Sequence, residues 1–292
     1  MIHTEKDISI APYTHYKIGG VAREVYFPDD ASELFELFRE FEKKGTEYFI
    51  LGGGSNVLVS DEYWDGAVII TSDMNGCEPF DYHITCGAGL ESSRIAEIAL
   101  ENAKTGLEFL YLLPGTIGGA LAGNARYDNI NISDVLIGLT AVHPEKGIKT
   151  FTSEEINFDY KFTGIIKEGW FICETSLRWG DGDPSAIRKV MDDIEKTRTE
   201  THQFDFPSCG CIFKNDYDKN IRAGSLIDSL GLKGLTIGGA QVALFHANFI
   251  INTGGATSRD VLELIKKIER MVFEKTGIEL EREVRVLGNF EL

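Results

Sequence analysis

The sequence predicts a mixed α and β protein in two domains, and three observations carry that reading. Its 292 residues exceed the span of one ordinary domain, about 100–200 residues. Short runs rich in β-branched and aromatic residues alternate with stretches whose apolar residues recur every three or four positions. A polar stretch, Thr197-Arg198-Thr199-Glu200-Thr201-His202-Gln203, sets off a C-terminal part that opens with a loop rich in Gly and Cys.

Taken in order, Arg23–Pro28 reads as a short strand ended by proline. Asp29 or Asp30 can cap a following helix whose inward residues are Leu34, Leu37, Phe38 and Phe41, with Gly45 as its stop. Tyr48–Leu51 is a strand running straight into Gly52-Gly53-Gly54-Ser55-Asn56, and further strands are expected near Val68–Ile70 and Tyr82–Thr85. Ser92 or Ser93 starts a second helix with Ile95, Ile98 and Ala99 inward and Gly106 as its stop. Pro114–Gly119 is a second glycine-rich turn, and residues 136–180 read as strands, among them Gly147–Phe151 and Trp170–Cys173.

Asp183-Pro184 opens a third helix, since proline fits the first helical position, with Ile187, Val190, Met191 and Ile194 inward. Thr257 to Asp260 is a capping signal for a helix with the stripe Val261, Leu264, Ile265 and Ile268, stopped by Gly277. The chain then reads as a strand over 278–286. Alternation sets Leu280, Val284 and Val286 against Glu279, Glu281, Glu283 and Arg285.

Composition narrows the function classes. Apolar residues at 43% and charged residues at 26% are those of an ordinary soluble globular protein. Glycine (31) far outnumbers proline (7), which favours tight turns and close backbone approaches over linkers. The net charge of −17, from 29 basic and 46 acidic residues, argues against gripping nucleic acid or anionic lipid with the whole surface. No apolar run reaches the ~18–20 residues that span a bilayer, and the acid-bearing start is not a secretory signal. The five cysteines are odd in number and scattered, so no disulfide framework is expected, and the natural setting is a reducing cytoplasm. No membrane or nucleic-acid partner is expected, and the oligomeric state is not encoded in these patterns.

The chemistry-bearing elements are ambiguous one at a time. Three successive glycines at 52–54 let backbone amides face an anion, as phosphate cradles do, but a plain turn fits equally well. The lysine of a nucleotide-triphosphatase loop is absent and the spacing is not that of a dinucleotide fold. The turn at 114–119 has the same two readings, and two such cradles would suit a diphosphate-bearing cofactor. Cys209-Gly210-Cys211 falls short of a metal site, and no metal is expected. Inert burial is the ordinary state for Cys209, whereas for Cys211, followed by Lys214, a working thiol competes with it. Glu283 reads either as a solvated charge or as a functional carboxylate.

In order, the stretches Ile18–Ala22, Leu51–Leu58, Gly106–Phe109, Pro114–Ala120, Asn124-Ala125, Pro207–Asn215, Ala223-Gly224, Gly231–Gly234, His246–Phe249 and Leu280–Arg285 resemble the UDP-N-acetylenolpyruvoylglucosamine reductase family over nearly the whole chain. The continuity through 160–200 is similar to the shorter of its two types. The resemblance implies an α+β fold: a two-lobed FAD-binding unit of the vanillyl-alcohol-oxidase-like (PCMH-type) superfamily over 1–200, lobes about 1–75 and 76–200, and a smaller α+β substrate-binding domain over 201–292. It implies FAD as cofactor and NADPH as co-substrate. Gly52, Gly53, Gly54, Ser55, Asn56, Gly115, Thr116, Gly118, Gly119 and Asn124 would hold FAD.

The implied reaction delivers hydride from reduced FAD to the β-carbon of an enolpyruvyl ether on a UDP-sugar and then protonates the α-carbon. It completes UDP-N-acetylmuramate for the bacterial cell wall. Glu283 would share a proton with the substrate carboxylate as negative charge develops there, and Lys214, Asn215 and His246 fall in substrate-contacting segments. Three positions depart from the family pattern. Cys211 stands where a serine donates the proton, and a thiol, with a reference pKa of ~8.5, is the stronger acid. Lys161 stands in Tyr160-Lys161-Phe162-Thr163 where the family has arginine, keeping the charge without the planar fork. Arg126-Tyr127-Asp128-Asn129 replaces a glycine-rich stretch, and Arg126 is the alternative source of a guanidinium. Two other readings are a degenerate homologue that binds flavin as a redox sensor and a different oxidoreductase on the same flavin fold.

Overall fold

The structure, a computed structural model, describes residues 2–290. The chain sorts into two units built from interleaved segments. Unit 1 comprises residues 2–5, Val25–Gly53 and Gly66–Glu200, and unit 2 comprises Lys6–Glu24, Gly54–Asp65 and the chain from Thr201 onward. Two early segments thus cluster with the C-terminal part instead of with the rest of 1–200. Long-range pairing accounts for this, because the strand Val57–Val59 pairs in parallel with Arg285–Leu287, and Tyr16, Ile18 and Leu58 belong to the core formed with the C-terminal residues.

Unit 1 begins its helices with α1 (Ala31–Lys44). Asp30 Oδ1 accepts from the Ser32 and Glu33 amides at 2.8 and 2.9 Å, and Gly45, at φ +67°, closes the other end. The buried stripe is Leu34, Leu37, Phe38 and Phe41, as the spacing predicts. Burying these four side chains contributes at most about 6–12 kcal/mol. They pack with Tyr26, Ile69, Met74, Val142 and Cys173, so the two expected lobes share a core. Helices α2 (Ser92–Glu101), α3 (Ile117–Ala122), α4 (Gly164–Lys167) and α5 (Pro184–Glu200) follow.

A five-stranded antiparallel sheet runs in the order Gly147–Thr152, Leu136–His143, Phe171–Arg178, His83–Gly87, Cys77–Pro79. A second, four-stranded sheet ends on the parallel pair Trp64–Ile70 and Tyr48–Leu51, with Leu51 opposite Ile70.

Unit 2 carries a four-stranded antiparallel sheet in the order Ser208–Cys211, Phe249–Asn252, Ala240–Val242, Thr236–Ile237, with helices α6 (Ala223–Ser229) and α7 (Ser258–Thr276). Helix α7 starts on a capping box in which Thr257 and Asp260 satisfy each other's amides, and it ends at Gly277, φ +71°. Val261, Leu264, Ile265 and Ile268 are buried as expected.

Four local expectations give way. Helix α2 stops at Asn102, whose amide and Nδ2 both bond to the Ile98 carbonyl, four residues before Gly106. Gly118 and Gly119 lie inside α3 instead of a turn. Val190 is 47% exposed, because the stripe Ile187, Met191, Ile194 and Arg198 leaves it on the flank. The terminal segment is a strand only over Arg285–Leu287, with a single bridge between Phe213 and Arg282 before it. Accordingly Val284 is buried, Leu280 only half-buried, and Val286 36% exposed. Among the described residues, no helix is long and apolar enough to cross a membrane.

Candidate functional site

In unit 1, three strand ends deliver their loops to one place. Tyr48–Leu51 ends at Gly52-Gly53, Trp64–Ile70 at Thr71, and His83–Gly87 at Ala88-Gly89. A Cβ on Gly53 would stand 2.5 Å from Gly115 Cα and 2.8 Å from Thr116 N, and one on Gly52 would stand 2.9 Å from Thr116 Oγ1. Only glycine permits that approach. Gly115 itself is at φ +94°. The Ile117 and Gly118 amides are already given to the Leu90 and Ala88 carbonyls, both at 2.9 Å, so of the predicted contacts Gly118 serves helix packing. Among the described residues, the Gly53 and Thr116 amides carry no hydrogen bond, and Thr116 Oγ1 and Ser92 Oγ are buried without a partner. Close glycine approach, spare amides and two buried hydroxyls fit the pyrophosphate of FAD. The Ala88-Gly89 loop, not singled out in the sequence, forms part of this cradle; its signal was the Gly87-Ala88-Gly89 alternation.

Of the other predicted unit 1 residues, Asn124 follows helix α3, and Lys161 and Arg126 sit in hairpins. Asn124, buried and at φ +41°, donates through Nδ2 to the Asp159 carbonyl (3.0 Å) and accepts from the Ser133 amide (3.4 Å). Its side chain therefore braces the turn that follows Asp159. Lys161 occupies that two-residue turn at φ +53°, between strands Phe158–Asp159 and Phe162–Thr163. Arg126 is exposed, and its guanidinium donates to the Asp128 carbonyl (2.8 Å) and Asn129 Oδ1 (3.0 Å) of its own hairpin.

Within the run Gly52–Asn56, Gly52 and Gly53 belong to unit 1 and Gly54, Ser55 and Asn56 to unit 2. Gly54, at φ +65°, lies against Tyr13, whose carbonyl a Cβ would meet at 2.1 Å, and its own carbonyl accepts from the His15 amide (3.0 Å). Ser55 is half-buried. Asn56 Nδ2 donates to the Glu283 carbonyl at 3.3 Å, and the Asn56 carbonyl accepts from the Arg285 amide. Asn56 thus anchors the Glu283 segment.

Around Cys211 the strand departs from regular pairing. Ser208 faces Ile251 and Cys211 faces Phe249, so Cys209 and Gly210 together oppose the single residue Ile250, a β-bulge with Gly210 at φ +77°. The extra residue breaks the alternation. Cys209 faces the core that contains Ile250 and Tyr16, while Cys211 packs on the other side with Phe249 and Ile251. Burial pushes the Cys209 thiol up to about 12 despite its contact with the Tyr16 hydroxyl, which marks it as inert. Cys211 is half-buried.

Beyond the bulge, Cys211–Lys214 runs antiparallel to Glu281–Val284. The Ile212 carbonyl accepts from the Glu283 (2.7 Å) and Val284 (3.3 Å) amides, and the Lys214 amide donates to the Glu281 carbonyl (2.8 Å). Glu283 is half-buried, not a freely solvated charge. Lys214 Nζ pairs with Glu281 at 2.7 Å. Asn215 Oδ1 accepts from the Ala223 amide (3.0 Å) and its Nδ2 donates to the Tyr217 hydroxyl (3.2 Å). His246 Nδ1 accepts from the Asn248 amide (3.2 Å), which leaves the ring proton on Nε2. Partial burial and then the Lys233 charge lower its pKa, keeping it neutral near pH 7. Cys211, Glu283, Lys214, Asn215 and His246 thus all lie in unit 2, and Lys161, Arg126 and Asn124 in unit 1. Among the described residues no acidic, His and Cys cluster could hold a metal ion.

This glycine-lined α+β fold matches a family model described as "FAD binding domain" over residues 22–151, and the chain is an FAD-binding oxidoreductase. A second model, "UDP-N-acetylenolpyruvoylglucosamine reductase, C-terminal domain", matches residues 202–287. A UDP-N-acetylenolpyruvoylglucosamine reductase of Borrelia garinii subsp. bavariensis is 38% identical over 280 residues, covering 94% of this chain and 90% of the relative. One from Caldanaerobacter subterraneus subsp. tengcongensis is 35% identical over 276 residues, covering 94% and 91%. The crystal structure of UDP-N-acetylenolpyruvylglucosamine reductase from Thermus caldophilus superposes with a TM-score of 0.79 at 30% identity, over 99% of this chain and 100% of that one. The chain belongs to the UDP-N-acetylenolpyruvoylglucosamine reductase family.

Proposed function

We propose that this chain uses NADPH to reduce the enolpyruvyl ether of UDP-N-acetylglucosamine enolpyruvate to UDP-N-acetylmuramate, a peptidoglycan precursor. The observation that carries the reading is the pairing of the Cys211–Lys214 segment with Glu281–Val284, through Ile212, in a chain 38% identical to a family member over 280 residues. Bound FAD supplies the two-electron chemistry by which a hydride equivalent from NADPH reaches the β-carbon of the double bond. The Gly53 and Thr116 amides and the Thr116 hydroxyl would hold its pyrophosphate.

The chain's own residues handle charge and protons. As hydride arrives, negative charge develops on the substrate carboxylate, where it is stabilised only if the groups meeting it are already in place. Glu283 shares a proton with that carboxylate and Lys161 supplies a cation, with Arg126 as the alternative source of a guanidinium. The Cys211 Sγ–H then protonates the α-carbon and is itself reprotonated from solvent, a general-acid step worth about 10²–10⁴-fold. Lys214, Asn215 and the Nε2–H of His246 donate to the UDP-sugar.

The test reduces the FAD-loaded protein anaerobically with NADPH and then adds UDP-N-acetylglucosamine enolpyruvate. Prompt return of the oxidised flavin spectrum, with one lactyl ether formed per flavin, is expected. A flavin that stays reduced overturns the reading.

A further inference from the structure

We infer that Asn248 is a positioning residue that holds Cys211, Glu283 and His246 in one arrangement, an inference that rests on the proposed function. All four polar groups of this buried residue are spent on segments bearing those side chains. Its Oδ1 accepts from the Phe213 amide (3.0 Å) and its Nδ2 donates to the Phe213 carbonyl (2.8 Å). Its carbonyl accepts from the Ile212 amide (2.9 Å), and its amide donates to His246 Nδ1 (3.2 Å).

The reason lies in the bulge. Once Cys211 has passed Phe249, the chain leaves the sheet and Phe213 has no strand neighbour on that side. The carboxamide of Asn248 presents the same donor and acceptor pair as a peptide group, so it acts as one rung of a missing strand. On the other side of the same peptide, the Ile212 carbonyl takes the Glu283 amide at 2.7 Å. The proton donor and the carboxylate are thereby referenced to the two peptide groups that flank Phe213, and only a side chain with both a donor and an acceptor can clamp both. An ionised carboxylate in this place would set oxygen against the Phe213 carbonyl.

The experiment uses the full-length, FAD-loaded protein and the variant Asn248→Asp, with Asn252→Asp as comparator. Asn252 is an equally internal asparagine of the same unit. Its side chain instead serves the Tyr16 carbonyl and the Gly254 and Ala256 amides. Three rates are read: flavin reduction by NADPH, reoxidation by UDP-N-acetylglucosamine enolpyruvate, and alkylation of Cys211 by iodoacetamide followed by peptide mass.

In Asn248→Asp, reoxidation is expected to slow by about 10–100-fold while reduction stays within about twofold, since small misplacement of a reacting group costs this much. Cys211 alkylation changes in the same variant and not in Asn252→Asp. Unchanged reoxidation in Asn248→Asp, or an equal loss in the comparator, overturns the inference. If Asn248→Asp does not accumulate as a folded flavoprotein, Asn248→Ser, which keeps an acceptor, is judged by the same criteria. A wild-type flavin that the substrate does not reoxidise sinks the functional reading itself. The positional claim then stands or falls on the alkylation difference.

Discussion

Two thiols separated by a single residue have different chemistry here, and the cause is local. Cys209 is sealed in the core and its pKa pushed up to about 12, while Cys211 is half-buried on the opposite face. Cys211→Ser is expected to retain substrate-driven flavin reoxidation. Cys211→Ala is expected to slow it by about 10²-fold or more with flavin reduction unchanged, measured by stopped-flow absorbance. Full reoxidation in the alanine variant removes Cys211 from the mechanism. The pairing of these residue types was legible, because Cys211 and Glu283 stand in family-like segments. Their facing was not, because a bulge is set by tertiary packing and leaves no periodic trace. Asn56 likewise stood in a glycine-rich run that suggested cofactor contact, and only long-range folding revealed its bond to the Glu283 carbonyl.

At the scale of elements, the legible parts are those with local physics. Helices α1 and α7 announce themselves through caps and 3.6-residue stripes, and the structure reproduces both. Helix α3 does not, since Gly118 and Gly119 each disfavour helix by about 1 kcal/mol. It forms because Ile117, Ala120 and Leu121 are buried and its first amides reach the 88–90 loop. The segment 278–286 alternates except at Arg282, yet within it only residues from Arg285 onward form a strand, which alternation alone does not reveal.

The glycine cradle gives the element-scale prediction. Gly53→Ala would place a methyl 2.5 Å from Gly115 Cα and is expected to purify with little flavin, read from the visible-to-ultraviolet absorbance ratio. Gly76→Ala, where a Cβ meets nothing, is expected to keep its full complement. Equal flavin content in both variants refutes the cradle.

For the molecule as a whole, length suggests two domains and local patterning a mixed class, but neither shows the interleaving of segments. Residues 6–24 and 54–65 join unit 2 through contacts more than 200 residues distant in sequence, as Tyr16 Oη to the Ile250 carbonyl shows. No windowed pattern carries such pairing. The net charge of −17 does not prevent binding of an anionic cofactor, because the cradle offers backbone amides whose partial charges do not enter the count. Ligand linkage then predicts that FAD at 100 times its Kd stabilises the protein by about 2.7 kcal/mol and raises Tm by about 5–10 °C over the apoprotein. Thermal unfolding followed by circular dichroism checks this, and coincident curves would count against a specific site.

The bulge at Gly210 has a consequence for inhibitor and sensor chemistry. Counted along the chain, the two sulfurs have the spacing of a chelating pair; counted in space, they point apart. A bidentate arsenical or a soft metal ion therefore finds only one handle. A monofunctional electrophile would mark Cys211 and spare its neighbour, giving every labelling experiment an internal standard within a single tryptic peptide.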